Sequence, residues 1–191
     1  MQRNLKMKRI VMMSNVILAL LFLTLTTLLI TAVVLLLNGS DVLNFTQANG
    51  THLWIGLEVS GSWKSTASTL TANSFNAMTW LALPQMLPYI IVNLILIRLF
   101  MLYRKGLFFN LKNIQCFKWL GGLLLLQFIF VAFYPALLVT LLNMFSGIEL
   151  KRAVVIQDTD IIGFIVGLII YVIAWIMKQA QQLQQEQELV I

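Results

Sequence analysis

Four stretches of the chain are almost unbroken runs of apolar residues, and their lengths set the architecture. Ser14 to Leu37 reads SNVILALLFLTLTTLLITAVVLLL; Met78 to Leu102 is a second run, interrupted by Pro84 and Pro88. Trp119 to Leu142 is the third, and Ile161 to Met177, IIGFIVGLIIYVIAWIM, is the fourth and shortest. Apolar runs of about 18 or more residues are the mark of membrane-spanning helices. The pattern predicts an all-α membrane protein forming a single membrane domain, with four transmembrane helices at about 14–37, 78–102, 119–142 and 161–177. Loops 38–77 and 143–160 then lie on one side, loop 103–118 on the other, and 178–191 is a tail.

The first run follows Arg3, Lys6, Lys8 and Arg9, as a cleavable signal would. Its apolar part is too long for a signal core and no small-x-small site follows it, so it reads as a retained anchor. Lysine and arginine in short flanks orient the spans. One side holds those four residues with Arg104, Lys105, Lys112, Lys118 and Lys178; the other holds Lys64, Lys151 and Arg152. The richer side is expected to be cytoplasmic, which puts both termini inside. Composition agrees: 60% of residues are hydrophobic and 10% charged, against about a quarter charged in soluble domains. The net charge of +6 is mostly this asymmetry facing the lipid bilayer, and no direct nucleic-acid contact is expected from so few cations. A lone cysteine, Cys116, and a lone histidine, His52, leave no disulfide within the chain and no metal cluster built on cysteine; no cofactor is expected.

The first outer loop contains HLWIGLEVS, in which Leu53, Ile55, Leu57 and Val59 alternate with polar or bulky neighbours. Period-two alternation predicts a strand. A lone strand is not stable, so a small extracytoplasmic cap with short β-strands is expected, its second strand supplied by Ile148 to Ile156. WKSTASTLTANSFNAM reads as a helix leading into the second span. N-x-S/T triplets at Asn38, Asn44 and Asn49 matter only in a eukaryotic secretory pathway. Pro84, Pro88 and Pro135 remove backbone donors in the outer halves of two spans. A late helix start or a kink follows, and a splayed outer half that holds a ligand or accommodates the cap.

Polar residues within the spans are few. Asn93 and Gln127 sit at similar depth and are expected to share an interhelical hydrogen bond. Thr24, Thr26, Thr27 and Thr31 can bond to their own helix backbone, and Arg98 is near enough to the edge to snorkel. Gly163 and Gly167 form a small-xxx-small pair for close helix packing, with homo-oligomerisation as the alternative use. Paired acids, histidine clusters and a nucleophile beside a base are missing at membrane depth, which argues against an enzyme. Asp158 and Asp160 lack a third metal ligand. Almost no ionisable residue lies away from the span ends, which argues against a small transporter or channel component, the alternative reading.

The segment YRKGLFFNLKNIQCFKWLGGLLL resembles the inner-loop motif of the DUF2975 membrane proteins: a basic pair, a glycine, an aromatic, an asparagine at a helix start and a glycine opening the next span. AWIMKQAQQLQQEQELVI is similar to that family's tail, with Leu183, Glu186, Glu188 and the apolar LVI. The tail departs from the family's commoner basic, glycine-containing form. The resemblance implies a multi-pass protein of the bacterial inner (cytoplasmic) membrane with no established activity. Some members lie beside genes for Cro-like helix-turn-helix regulators, which implies a cytoplasmic transcription regulator as partner. In the residues themselves, Gly106 reads as a helix stop and Asn110 as the cap of a short interfacial helix, LKNIQCFKWL, with Leu111, Ile114 and Phe117 against the membrane. The expected docking set is Arg104, Lys105, Phe108, Asn110, Lys112 and Ile114 of the loop, with Glu186, Glu188, Leu189, Val190 and Ile191 of the tail packing back on it. The function expected is that of a non-enzymatic regulatory or sensor protein.

Overall fold

The computed structural model describes residues 2–38, 44–46, 52–54, 57–58, 63, 66–67, 70, 80–81, 83–107, 110–146, 156 and 158–189. Four long helices dominate it: α1 (Gln2–Asn38), α2 (Leu83–Arg104), α3 (Leu111–Ser146) and α4 (Asp158–Leu189). Each contains a stretch long and apolar enough to cross a membrane, namely Ile10–Val34, Leu83–Arg104, Leu111–Met144 and Asp158–Gln187. The four spans read from the sequence are thus present, and the chain is a multi-pass membrane protein. Large apolar side chains such as Leu20, Leu23, Leu126 and Ile169 stand about half exposed along the helices, as lipid-facing residues do. The hydroxyls of Thr24, Thr26 and Thr27 donate to the carbonyls of Leu21, Leu23 and Thr24, so these side chains carry no unmet polar group into the span.

Two corrections concern segments between spans. The alternating run after Thr51 does not form one strand. β1 (Asn44–Thr46), β2 (His52–Trp54) and β3 (Leu57–Glu58) make an antiparallel sheet in chain order, with Phe45 opposite Leu53 and Trp54 opposite Leu57. Two residues, Ile55 and Gly56, separate β2 from β3, a glycine-containing spacing that suits a tight hairpin. Both edges of β2 are therefore occupied from its own segment. The strand expected from 148–156 falls outside the described residues apart from Ile156. Nor is LKNIQCFKWL a separate interfacial helix. It is the first part of α3, which runs from Leu111 to Ser146 because no proline intervenes before Pro135 and the glycine pair 121–122 does not stop it.

The chain forms two compact units. One comprises residues 28–88 and 126–162, the other residues 1–27, 89–125 and 163–191. In the first of these, Trp63, Thr66, Ala67 and Leu70 are helical and buried, at the i, i+3, i+4, i+7 spacing of one helix face. Trp63, Ala67 and Leu70 form a core with Leu81, Met86 and Leu138, flanked by Phe130, Val131 and Tyr134. This core shows how Pro135 is tolerated inside a helix. α3 passes through Pro135 unbroken, yet proline cannot donate to the carbonyl four residues earlier, that of Val131. The indole Nε1–H of Trp63 donates to that carbonyl at 3.0 Å. Pro84 lies in the first turn of α2, where no backbone donor is needed, and the carbonyl of Trp80 stands just before the helix. The hydroxyl of Tyr134 donates there at 2.7 Å. The two donors stack on each other, with ring centroids 5.5 Å apart and planes 20° from parallel. The late helix start expected at Pro84 is present, and Trp63 and its neighbours occupy the space beside Pro135 that was open in the sequence reading to a ligand or a cap.

Candidate functional site

The remaining unit contains the basic segment, the start of α3 and the C-terminal part of α4. α2 ends on Gly106, whose φ of 75° is the left-handed conformation. The Gly106 N–H donates to Tyr103 O at 2.9 Å and the Leu107 N–H to Leu102 O at 3.2 Å, closing the last carbonyls of α2. Asn110 begins α3. Its Oδ1 accepts from the Lys112 N–H at 3.4 Å, and its carbonyl accepts from Asn113 and Ile114. Asn113, fully buried, reaches back with Nδ2 to the carbonyl of Leu107. Sequence reasoning missed Asn113. Its signal was position: it is the third residue of a capped helix, where a side chain returns towards the chain before the cap.

The turn holds its cations outwards. Arg104, Lys105 and Lys112 are exposed, Asn110 is half-buried, and Phe108 lies outside the described residues. Ile114 does not face a membrane surface; it is 6% exposed, as Cys116 is 4%. What lies beside Ile114 is α4. A cleft of about 360 Å³ runs between two stripes, Leu111, Ile114, Gln115 and Lys118 on α3 and Tyr171, Ala174, Trp175 and Lys178 on α4. Both stripes follow the i, i+3, i+4, i+7 spacing of one helix face. Beyond Lys178 the helix continues to Leu189, about 16 Å further at 1.5 Å per residue. Glu186 is exposed on this extension, and Glu188 and Leu189 are its last helical residues. Val190 and Ile191, with the packing expected of them, lie outside the described residues.

α3 and α4 touch through glycine, but not through the pair the spacing suggested. A Cβ on Gly121 would come within 2.7 Å of the Tyr171 backbone nitrogen and 2.9 Å of the Gly167 carbonyl oxygen. A Cβ on Gly167 would meet Leu124 Cβ at 2.8 Å. The position of Gly163 is open, with nothing within 4 Å of such an atom. The contact is therefore Gly121 against Gly167 on two helices, and Gly163 takes no part in it.

Asn93, 8% exposed in α2, donates from Nδ2 to Thr24 Oγ1 of α1 at 2.6 Å, and Thr24 passes its own hydroxyl hydrogen to Leu21 O. This relay from side chain to side chain to backbone links two spans. Gln127 is half-buried in the other unit, and its pairing with Asn93 stays a proposal. Replacing Asn93 by leucine or Thr24 by valine should each lower the thermal midpoint in detergent, by the equivalent of about 0.6–2 kcal/mol. The double replacement should cost less than the sum, and strict additivity would show that the bond carries no energy.

Among the described residues no group of three or more His, Cys, Asp or Glu is placed to hold a metal ion. The buried polar side chains described are Ser14, Thr66, Asn93 and Asn113, none of them ionisable. Residues 62–191 match the model of a family described as a protein of unknown function (DUF2975). No curated protein and no solved structure matches the chain.

Proposed function

The chain belongs to the DUF2975 family, and from that premise we propose that it is a non-enzymatic regulatory protein that holds a cytoplasmic partner at the α2–α3 turn and the end of α4. The observation that carries this reading is the length of α4. Its apolar stretch ends at Met177, yet the helix continues to Leu189 through a glutamine-rich sequence whose described side chains are exposed, apart from the half-buried Gln181. A short helix that is polar nearly all round is marginal by itself in water. Here the preceding span anchors it, so it offers a rigid rod to a second protein. Arg104, Lys105 and Lys112 add three exposed cations on the turn. The positive-inside count puts both on the cytoplasmic side. The implied partner is a helix-turn-helix regulator, whose acidic or amphipathic surface would meet these cations and the exposed rod. The transport reading lacks an ionisable residue among the buried polar side chains described.

The test is reconstitution. The full chain in nanodiscs should bind a purified Cro-like helix-turn-helix regulator, with binding lost on truncation after Gln185 and weakened by replacing Arg104, Lys105 and Lys112 with glutamine. Reporter fusions after Lys112 and at the C-terminus should both report cytoplasm. Binding unchanged by truncation and by charge removal, or an external C-terminus, would sink the reading.

A further inference from the structure

We propose that the cleft between α3 and α4 binds the headgroup of one anionic phospholipid, its phosphate lying between Lys118 and Lys178. The proposal goes beyond the partner reading and does not depend on it. The cleft begins where the two helices touch. Gly121 packs on the backbone of Tyr171, and one helical turn towards the start of α3 the facing stripes leave a cavity of about 360 Å³. That volume is within the range of about 300–1,000 Å³ typical of small-molecule sites.

Its lining has three chemical parts. Ile114 and Ala174, 6% and 1% exposed, make an apolar floor. Lys118 and Lys178 are exposed on its rim, with Gln115 as a further donor, and no acid lines the cleft. Neither lysine has an ion-pair partner among the described residues. Trp175, 60% exposed, lines the cleft with them. Two cations, an amide donor, an apolar floor and an exposed tryptophan at the end of two spanning helices complement a phosphate with attached glycerol and chains. Basic clefts between spans bind anionic headgroups for this reason, and tryptophan favours the same depth. A protein surface would not explain a pair of unneutralised lysines above an apolar floor as well, because its own acids would need to enter a cleft bounded on two sides by helix.

The full-length chain, purified in neutral detergent, should be titrated with phosphatidylglycerol and with phosphatidylcholine of the same acyl chains. Occupancy is read by native mass spectrometry and by the shift in thermal midpoint. Phosphatidylglycerol should bind about 25-fold more tightly, since each basic residue beside an anionic lipid is worth about fivefold. Lys118→Gln and Lys178→Gln should each remove about fivefold, and the double variant should bind both lipids alike. Lys112→Gln, an exposed lysine outside the cleft, should retain the preference. Trp175→Leu should weaken lipid binding, and inorganic phosphate at the same concentration should shift nothing. The proposal is overturned if the two lipids bind equally to the wild type, if Lys112→Gln costs as much as Lys118→Gln, or if inorganic phosphate matches the lipid.

Discussion

Trp63→Ala will destabilise the protein by about 3–5 kcal/mol, the range for deleting a large buried aromatic, and Trp63→Phe by about 1–3 kcal/mol through a single missing N–H. The phenylalanine ring retains apolar volume beside Tyr134 and Phe130, the stacked and tilted neighbours of Trp63. What it lacks is the donor to Val131 O, which Pro135 cannot replace. The decisive variant restores that donor from the other side. In a Pro135→Ala background the backbone N–H of residue 135 returns to the ladder, so Trp63→Phe should cost much less there. Thermal unfolding in detergent of the four proteins gives the coupling directly. Equal cost in both backgrounds would mean that the indole bond is incidental and that Trp63 acts by volume alone.

The second large effect is expected at Gly121. Adding one methyl there sets a Cβ 2.7 Å from a backbone nitrogen and 2.9 Å from a carbonyl oxygen, and neither atom can turn aside as a side-chain end would. The helices must separate along their contact, so Gly121→Ala should cost at least the 1–3 kcal/mol of an overpacked core. Gly121→Leu should abolish the contact, and Gly167→Ala should also be costly, because the Leu124 Cβ it meets at 2.8 Å is fixed to the backbone and cannot rotate away. Gly163→Ala and Gly122→Ala meet nothing within 4 Å, and should be neutral or stabilising by up to about 1 kcal/mol from helix propensity. The opposite signs make this a sharp comparison by thermal midpoint. Loss of stability at Gly163 equal to that at Gly121 would show that the helices meet elsewhere.

How far these features could be read from the chain depends on the range of the forces behind them. The spans were legible because hydrocarbon thickness imposes run length on a single segment. The ends of the turn were legible too, since Gly106 and Asn110 each act on residues within five positions. The limits appear where a partner is distant. The small-xxx-small rule led to Gly163 and Gly167 on one helix, while the close approach pairs Gly167 with Gly121, 46 positions earlier and in a less conspicuous setting. Asn93 was matched by depth to another amide, yet its donor meets Thr24, a hydroxyl whose ability to bond its own helix made it look self-sufficient. The HLWIGLEVS run alternates like one strand, yet the register sets Leu53 opposite Glu58 and Trp54 opposite Leu57, so Leu53 and Leu57 lie on opposite faces of the hairpin, a change of phase that no periodicity along one segment reveals. Exposure of Arg104, Lys105 and Lys112 followed from charge alone, whereas the cleft beside Ile114 required two helices to be seen together.

The carbonyls of Val131 and Trp80, both met by side-chain donors from distant segments, also suggest an order of events in biosynthesis. Trp63 is translated before α3, so the donor for Val131 is already made when the gap at Pro135 enters the membrane. The carbonyl of Trp80 is made before its donor, and it waits until Tyr134 has been synthesised. During that interval the chain just before α2 holds an acceptor without its Tyr134 donor, which hydrocarbon penalises and water tolerates. That end of the helix therefore stays at the wet boundary until α3 arrives. Because Tyr134 and Trp63 stack, one arrival satisfies both carbonyls. With Cys116 replaced by alanine and a single cysteine introduced at residue 81, a released chain ending before residue 134 should be labelled by water-borne thiol reagents, and extension past Pro135 should close that position in a single step.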